Sequence, residues 1–287
     1  MTIIDELGLP GLPEALPRGI VDNHTHTLTT TNYSKLRPAD SLELAASVGV
    51  THVVDVGYDV ASSRHALALA DEFPQVVAAV ALHPNDAATI ATRDGDEPFE
   101  ATLAEIESMV PEARAVGETG LDYYRTRDAD GKLAQERSFR RHIGWAKEHG
   151  KTLVVHDRDA HDDILRVLDD EGAPERVVMH CFSGDADFAR ACTERGFWLS
   201  YPGVVTFGNA EALREAARAT PLERVLVETD APFLTPAPER GKHNAPYLLP
   251  HTVRFLADLL DVELAEFCDL VTANTFAAFG GRWGDDA

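Results

Sequence analysis

Two histidines separated by a single threonine, His24 and His26, end an apolar run that reads IVDNHTH over residues 20–26. An imidazole where the core should continue is costly unless it is hydrogen-bonded or ligated. Side chains at i and i+2 of a strand share a face, so the pair can clasp one cation together. The same substitution recurs along the chain. His83 ends VVAAVALH, Glu118 ends RAVGE, His156 lies in TLVVHD, His180 lies in RVVMHC, and Glu228 and Asp230 close RVLVETD. Singly, each has a plainer explanation: a packed, hydrogen-bonded histidine, a turn glutamate after glycine, or a helix-capping aspartate in ETDAP. Gathered at one rim, five imidazoles and three carboxylates form a metal-binding set. Such donors suit zinc, manganese or iron, and magnesium where water completes the coordination. They are too many for one tetrahedral ion, so two ions sharing a carboxylate are expected.

The gathering depends on the elements that carry these residues. Short β-branched runs at 19–25, 51–57, 76–83, 114–118, 152–157, 176–181, 197–201 and 224–229 alternate with Ala-, Leu- and Glu-rich stretches of helical spacing. Eight strands, each followed by helix or loop, predict a parallel (β/α)8 TIM barrel. The runs are almost wholly apolar, as strands buried on both faces must be. Active sites of such barrels lie at the C-terminal ends of the strands, where the residues named above fall. Strands two and seven contribute nothing comparable, Asp55 being mid-strand. Residues 84–98 and 231–248 read as long loops, and helical stretches around 248–260 and 263–279 close the chain. One domain over 19–280 is expected, with residues 1–18 as an N-terminal extension and 281–287, GRWGDDA, as a frayed tail. His142, His149, His161, His243 and His251 read as surface or capping residues.

Bulk properties narrow the function. With 287 residues, 44% of them hydrophobic, the chain can build a full core without staples. Cys181, Cys192 and Cys268 are too few and scattered for a disulfide framework or zinc knuckle. No leader pattern and no membrane-spanning apolar stretch are evident, so the expected compartment is the cytoplasm. The formal charge of −22 repels nucleic acid at long range and argues against a sequence-specific DNA-binding module. A polyanionic substrate would need a local reversal of charge.

The segments VDNHTH, ALHP, VGETGLDYY, VVHDRDA, HCFSG and VETDAPFLTP, in this order, resemble the TatD-related metal-dependent deoxyribonucleases of the amidohydrolase-like barrel superfamily. The resemblance covers residues 19–280, includes ERGKHNAPYLLP as a substrate-side loop, and has no counterpart for the first eighteen residues. It implies two divalent ions, magnesium, manganese or zinc. One would be held by His24, His26, Glu118 and Asp230, the other by Glu118, His156 and His180, with Glu118 bridging. Dihydroorotase- and phosphotriesterase-like relatives usually bridge with a carboxylated lysine, which RAVGETG lacks. His83 and Glu228 correspond to active-site positions that do not touch the metals. Arg158, Arg240 and Lys242 are implied phosphate contacts, and Tyr123 and Tyr124 could stack on a base.

The chemistry expected from this set is phosphodiester hydrolysis by two-metal activation of water. Asp230 orients or deprotonates the nucleophile, His83 donates a hydrogen bond to the phosphoryl group, and Glu228 positions water or a histidine. Two divalent ions outweigh Glu118 and Asp230, so the pocket accepts phosphate while the surface repels long polyanions. Ends or short single strands of DNA are therefore the expected substrates, and a monomer would suffice. Two alternatives remain: hydrolysis of a carbonyl substrate such as a lactone, amide or aminoacyl ester, and a metal-stabilised binding protein without turnover.

Overall fold

The computed structural model describes residues 2–284. Its strands are β1 (Ile20–Thr25), β2 (Val50–Val56), β3 (Val76–Val80), β4 (Ala115–Asp122), β5 (Thr152–Arg158), β6 (Val177–Met179), β7 (Trp198–Tyr201) and β8 (Val225–Val227). Each pairs in parallel with the next, in chain order. The segment after β8 closes the ring onto β1. The Asp230 N–H donates to His24 O at 2.9 Å, and the His26 N–H donates to Ala231 O at 2.9 Å. The result is a (β/α)8 barrel, as the strand pattern predicts.

Among the described residues, twelve α-helices accompany the strands. They are α1 (Ile3–Leu7), α2 (Thr27–Ser34), α3 (Pro38–Ser47), α4 (Val60–Glu72), α5 (Pro84–Arg93) and α6 (Asp96–Met109). The second half adds α7 (Ala129–Glu148), α8 (His161–Glu171), α9 (Ala186–Glu194), α10 (Glu211–Ala219), α11 (Leu249–Leu259) and α12 (Leu264–Ala278). No helix among the described residues is long and apolar enough to cross a membrane.

Alternation along the strands divides the core in two. Ile20, Val50, Val80, Val116, Leu153 and Val177 belong to an outer layer with Leu69, Phe99, Phe139 and Ile164 of the helices. Val21, Val54, Val77, Ala115, Val154, Val178, Trp198 and Leu226 fill the barrel floor with Phe276, Phe279 and Trp283. Each such burial contributes about 1.5–3 kcal/mol per large aliphatic side chain. The pairing is irregular at three places in β1 and β4, one of them between Ile20 and Val21 at the start of β1, and the other two lie beside the site. Those two register shifts fall between Asp22 and Thr25 in β1 and between Val116 and Thr119 in β4. Such irregularities re-aim side chains next to active sites, and these two precede or include His24, His26 and Glu118. β4 can run this close to β5 because Gly120 (φ 142°) has no side chain; a Cβ there would overlap the His156 carbonyl oxygen.

Two sequence expectations are corrected. Residues 84–98 are not a long loop: they form α5 and the start of α6, separated at Gly95. Their Asn, Asp and Thr content suggests coil, but Pro84 sits in the first turn, His83 Nδ1 caps the Asn85 N–H, and Ala87 and Ala88 are buried. Nor are residues 281–284 frayed. Trp283 is buried beside Phe276 and donates from Nε1 to Gln75 O at 3.1 Å. Arg114 holds the same segment through Phe279 O and Gly281 O. Residues 285–287 of that tail lie outside the described residues. The N-terminal stretch also packs: Ile4, Leu9 and Leu16 join the outer core, and the Tyr247 hydroxyl donates to Pro10 O at 2.8 Å.

Candidate metal centre

The six residues expected to hold metal converge at the C-terminal mouth of the barrel, all of them buried except His156, which is partly so. Glu118 lies at the middle. Its Oε1 faces His26 Nε2 at 3.3 Å and His24 Nε2 at 3.7 Å. Its Oε2 faces His180 Nε2 at 3.0 Å and His156 Nδ1 at 3.2 Å. Asp230 Oδ1 lies 3.3 Å from His26 Nε2 and 3.9 Å from His24 Nε2. The two imidazole pairs thus address opposite oxygens of one carboxylate.

The far side of each ring decides what the near side can do. His26 Nδ1 lies 2.8 Å from Val56 O, and a carbonyl only accepts, so Nδ1 carries the proton and Nε2 a lone pair. His180 Nδ1 is bound the same way by Glu228 Oε1 at 3.1 Å. His156 Nε2 lies 3.4 Å from Asp122 Oδ2, which leaves Nδ1 for the centre. These are the orienting partners that metal-ligating histidines use. Lone pairs and carboxylate oxygens then point at one another, with His24 Nε2 and His26 Nε2 only 3.3 Å apart. An assembly of acceptors this dense requires cations, and its mixture of imidazole and carboxylate donors fits divalent metals.

Protonation follows the same logic. Burial pushes the Glu118 carboxyl up, but the surrounding imidazoles, His180 and His83 first, hold it well below its ordinary value. Asp230 is likewise lowered by His26 and His180 against burial. Burial depresses His26 and His180, yet the carboxylates beside them raise both well above the ordinary imidazole value, so protons take the cations' place when metal is missing. His24 is lowered by burial and by His180, against which its ring stacks at 3.6 Å.

His83 behaves differently. Its Nδ1 accepts the Asn85 N–H at 3.1 Å, so the neutral ring carries its proton on Nε2. Burial pushes its pKa down to about 3, keeping it neutral. It therefore presents an N–H, not a lone pair, 3.8 Å from Glu118 Oε2. Glu228 is fully buried, and its Oε1 also accepts the Cys181 N–H at 2.8 Å.

Several supporting residues had no signature in the sequence. Asp22 accepts from the Thr229 N–H and hydroxyl and from the His24 N–H, tying β1 to the turn that carries Asp230. Burial raises its pKa to about 7. Asp55 accepts the Thr27 N–H and hydroxyl just after His26. Asp122 accepts from Arg125 N and Asn85 Nδ2 while facing His156. His142 is not a surface residue: it is fully buried, accepts the Leu82 N–H at Nε2 (3.1 Å) and donates from Nδ1 to Ser138 O (2.7 Å).

The basic residues are less centred. Arg158 lies over the Tyr124 ring at 4.0 Å, two residues past His156. Arg240 stacks on Phe207 at 4.0 Å, and exposed Lys242 pairs with Glu239 at 2.5 Å. Tyr123 is engaged by Lys132 over its ring and by its hydroxyl donating to Asp163, whereas Tyr124 is half exposed.

Residues 21–280 match the family described as TatD related DNase. Over 273 residues the chain is 44% identical to the uncharacterized metal-dependent hydrolase TatD of Mycobacterium tuberculosis, covering 92% of this chain and 99% of that protein. It is 37% identical over 262 residues to the uncharacterized metal-dependent hydrolase YcfH of Escherichia coli K12, covering 89% and 93% respectively. In fold it resembles the crystal structure of YJJV, a TatD homolog from E. coli K12, with a TM-score of 0.79 at 24% identity, over 92% of this chain and 98% of that one.

Proposed function

The chain belongs to the TatD-related family of metal-dependent hydrolases, and from that premise we propose that it hydrolyses phosphodiesters at DNA ends or in short single strands. The observation that carries this reading is the division of Glu118. One oxygen faces His24 and His26 and the other faces His156 and His180, an arrangement suited to two cations sharing one carboxylate. His24, His26, Asp230 and Glu118 Oε1 would hold one, and His156, His180 and Glu118 Oε2 the other. When bound, magnesium, manganese or zinc ions supply Lewis acidity, lowering the pKa of a coordinated water toward ~7 and offsetting charge on phosphoryl oxygens.

The protein's own groups do the rest. Asp230, ionised and anchored through its backbone to His24 O, accepts the proton of the attacking water at a carboxylate oxygen. The His83 Nε2–H donates to a non-bridging phosphoryl oxygen, where its neutral state gives direction without adding a fixed charge. Glu228 and Asp122 hold the His180 and His156 rings in position. Arg158 is the basic residue nearest in sequence to this set. Arg240 and Lys242 would have to exchange their present partners to reach a phosphate.

End-labelled single-stranded DNA, incubated with the protein plus magnesium, manganese or zinc, or with EDTA, tests the proposal. Shortening from one end, present only with metal and lost in His24→Ala and Glu118→Ala, is expected. Metal-loaded wild type that leaves the strand intact but cleaves p-nitrophenyl esters would transfer the centre to carbonyl chemistry.

A further inference from the structure

Few large apolar side chains are exposed among the described residues, and three of them are aromatic: Tyr33, Tyr124 and Phe233. All three follow strand ends at the mouth, on α2, after β4 and after β8. Tyr124 is already covered by Arg158. Tyr33 and Phe233 are not covered by a cation, and they line up. The Phe233 ring lies 6.4 Å from the His26 ring, and the Tyr33 ring lies 6.3 Å beyond Phe233. A continuous row of rings thus leads from the metal centre to solvent. Both members are fixed by backbone. The Phe233 N–H donates to Asp230 O at 2.9 Å, and Asn244 Nδ2 donates to Phe233 O at 2.6 Å. Tyr33 lies in the last turn of α2, which begins directly after His26.

Exposed aromatic surface is costly unless something covers it. The charge of −22 repels nucleic acid at long range, and Lys242 and Arg240 already have partners. Stacking supplies affinity without charge, because every base has a π-face. Phe233 and Tyr33 meet edge to face at 71°, and each partly exposed ring can offer a face to an unpaired base, whereas the bases of a duplex are already stacked on one another.

We propose that Phe233 and Tyr33 form a stacking platform for the two unpaired bases next to the phosphodiester held at the metal centre. This rests on the phosphodiesterase reading, and it makes single-strandedness a property of the rim rather than of the metals.

The test compares metal-loaded cleavage of a single-stranded oligonucleotide with that of the same oligonucleotide carrying abasic residues at the attacked end. Wild type should prefer the base-bearing end by roughly a hundredfold in kcat/KM, about tenfold for each of the two lost stacking contacts. Phe233→Ala and Tyr33→Ala should each shrink that preference, Phe233→Trp should keep it, and Phe233→Leu, apolar but without a ring, should not. A preference that survives in both alanine variants, or the absence of one in wild type, overturns the platform while leaving the phosphodiesterase intact. If wild type cleaves no strand at all, the phosphodiesterase reading falls instead. Quenching of a terminal 2-aminopurine then decides the platform: quenching by wild type but not by Phe233→Ala supports it, and no quenching overturns it.

Discussion

The two ends of the barrel interior are made from the same strands and have opposite chemistry. At the floor, Val154, Val178, Trp198 and Leu226 point inward with Phe276, Phe279 and Trp283. Two residues further along the same strands stand His156, His180, Ser200 and Glu228. A single step of the β period separates a sealed apolar plug from a cluster of acceptors that needs cations. The floor supplies free energy of folding and the mouth consumes some of it, since buried carboxylates and imidazoles cost more than they return until neutralised. Function and stability are therefore assigned to different layers of one ring, and substitutions should separate them.

The largest effect should follow removal of the central carboxylate. Glu118→Gln should lower kcat by roughly a thousandfold, the scale of a lost metal-centred charge stabilisation, and reduce bound metal as measured by elemental analysis. Full activity in that variant would break the division drawn above. Next, Trp283→Ala at the floor should cost about 3 kcal/mol of stability in denaturant titration. Its kcat well below the melting transition should stay within about twofold of wild type, a small effect expected of a site remote from chemistry. A variant that kept its stability and lost turnover would show the layers to be coupled.

A smaller effect is expected from the orienting carboxylates. Glu228→Gln and Asp122→Asn should each lower metal affinity or activity by about 10- to 100-fold, with little change in the circular-dichroism spectrum. Equal loss in Glu118→Gln and Glu228→Gln would argue that Glu228 is itself a ligand. The smallest effect concerns pH. His142 is held neutral by burial, with its pKa pushed from 6.5 down to about 4. The unfolded chain takes up this proton first as pH falls. The stability it permits is therefore whole above pH 6.5 and is lost progressively between 6.5 and 4. Between pH 7 and 5 the loss should be about 2 kcal/mol. His142→Gln, which can still accept the Leu82 N–H, should show a shallower dependence by that amount, measured by denaturation at the two pH values.

What could be foreseen from sequence follows the same division. Strand ends were legible because β-branched runs stop where histidines and glutamates begin, as at VVMHC and VLVETD. The supporting carboxylates were not, because Asp22 acts on Thr229 across 207 residues and nothing local marks a buried acceptor. α5 was hidden by polar, weakly helix-forming residues that are held by the His83 cap and by the burial of Ala87 and Ala88. The docked end was hidden by Gly280, Gly281 and Gly284, which make residues 280–284 look loose although positive φ at each lets the chain turn Trp283 into the floor. Tyr33 and Phe233 lie in different segments, and only closure of the ring brings them together.

That closure has a consequence for synthesis. The hydrogen bonds joining Asp230 to His24 O and His26 to Ala231 O are at once the barrel's seam and the scaffold of its metal-facing groups. A chain emerging from the ribosome displays His24 and His26 early, long before residue 230 exists. Until β8 and the turn beyond it arrive, no ring is closed and Asp230 cannot meet them. A fragment that stops short of residue 230 should therefore show no metal-dependent turnover, which should appear only once the ring is closed.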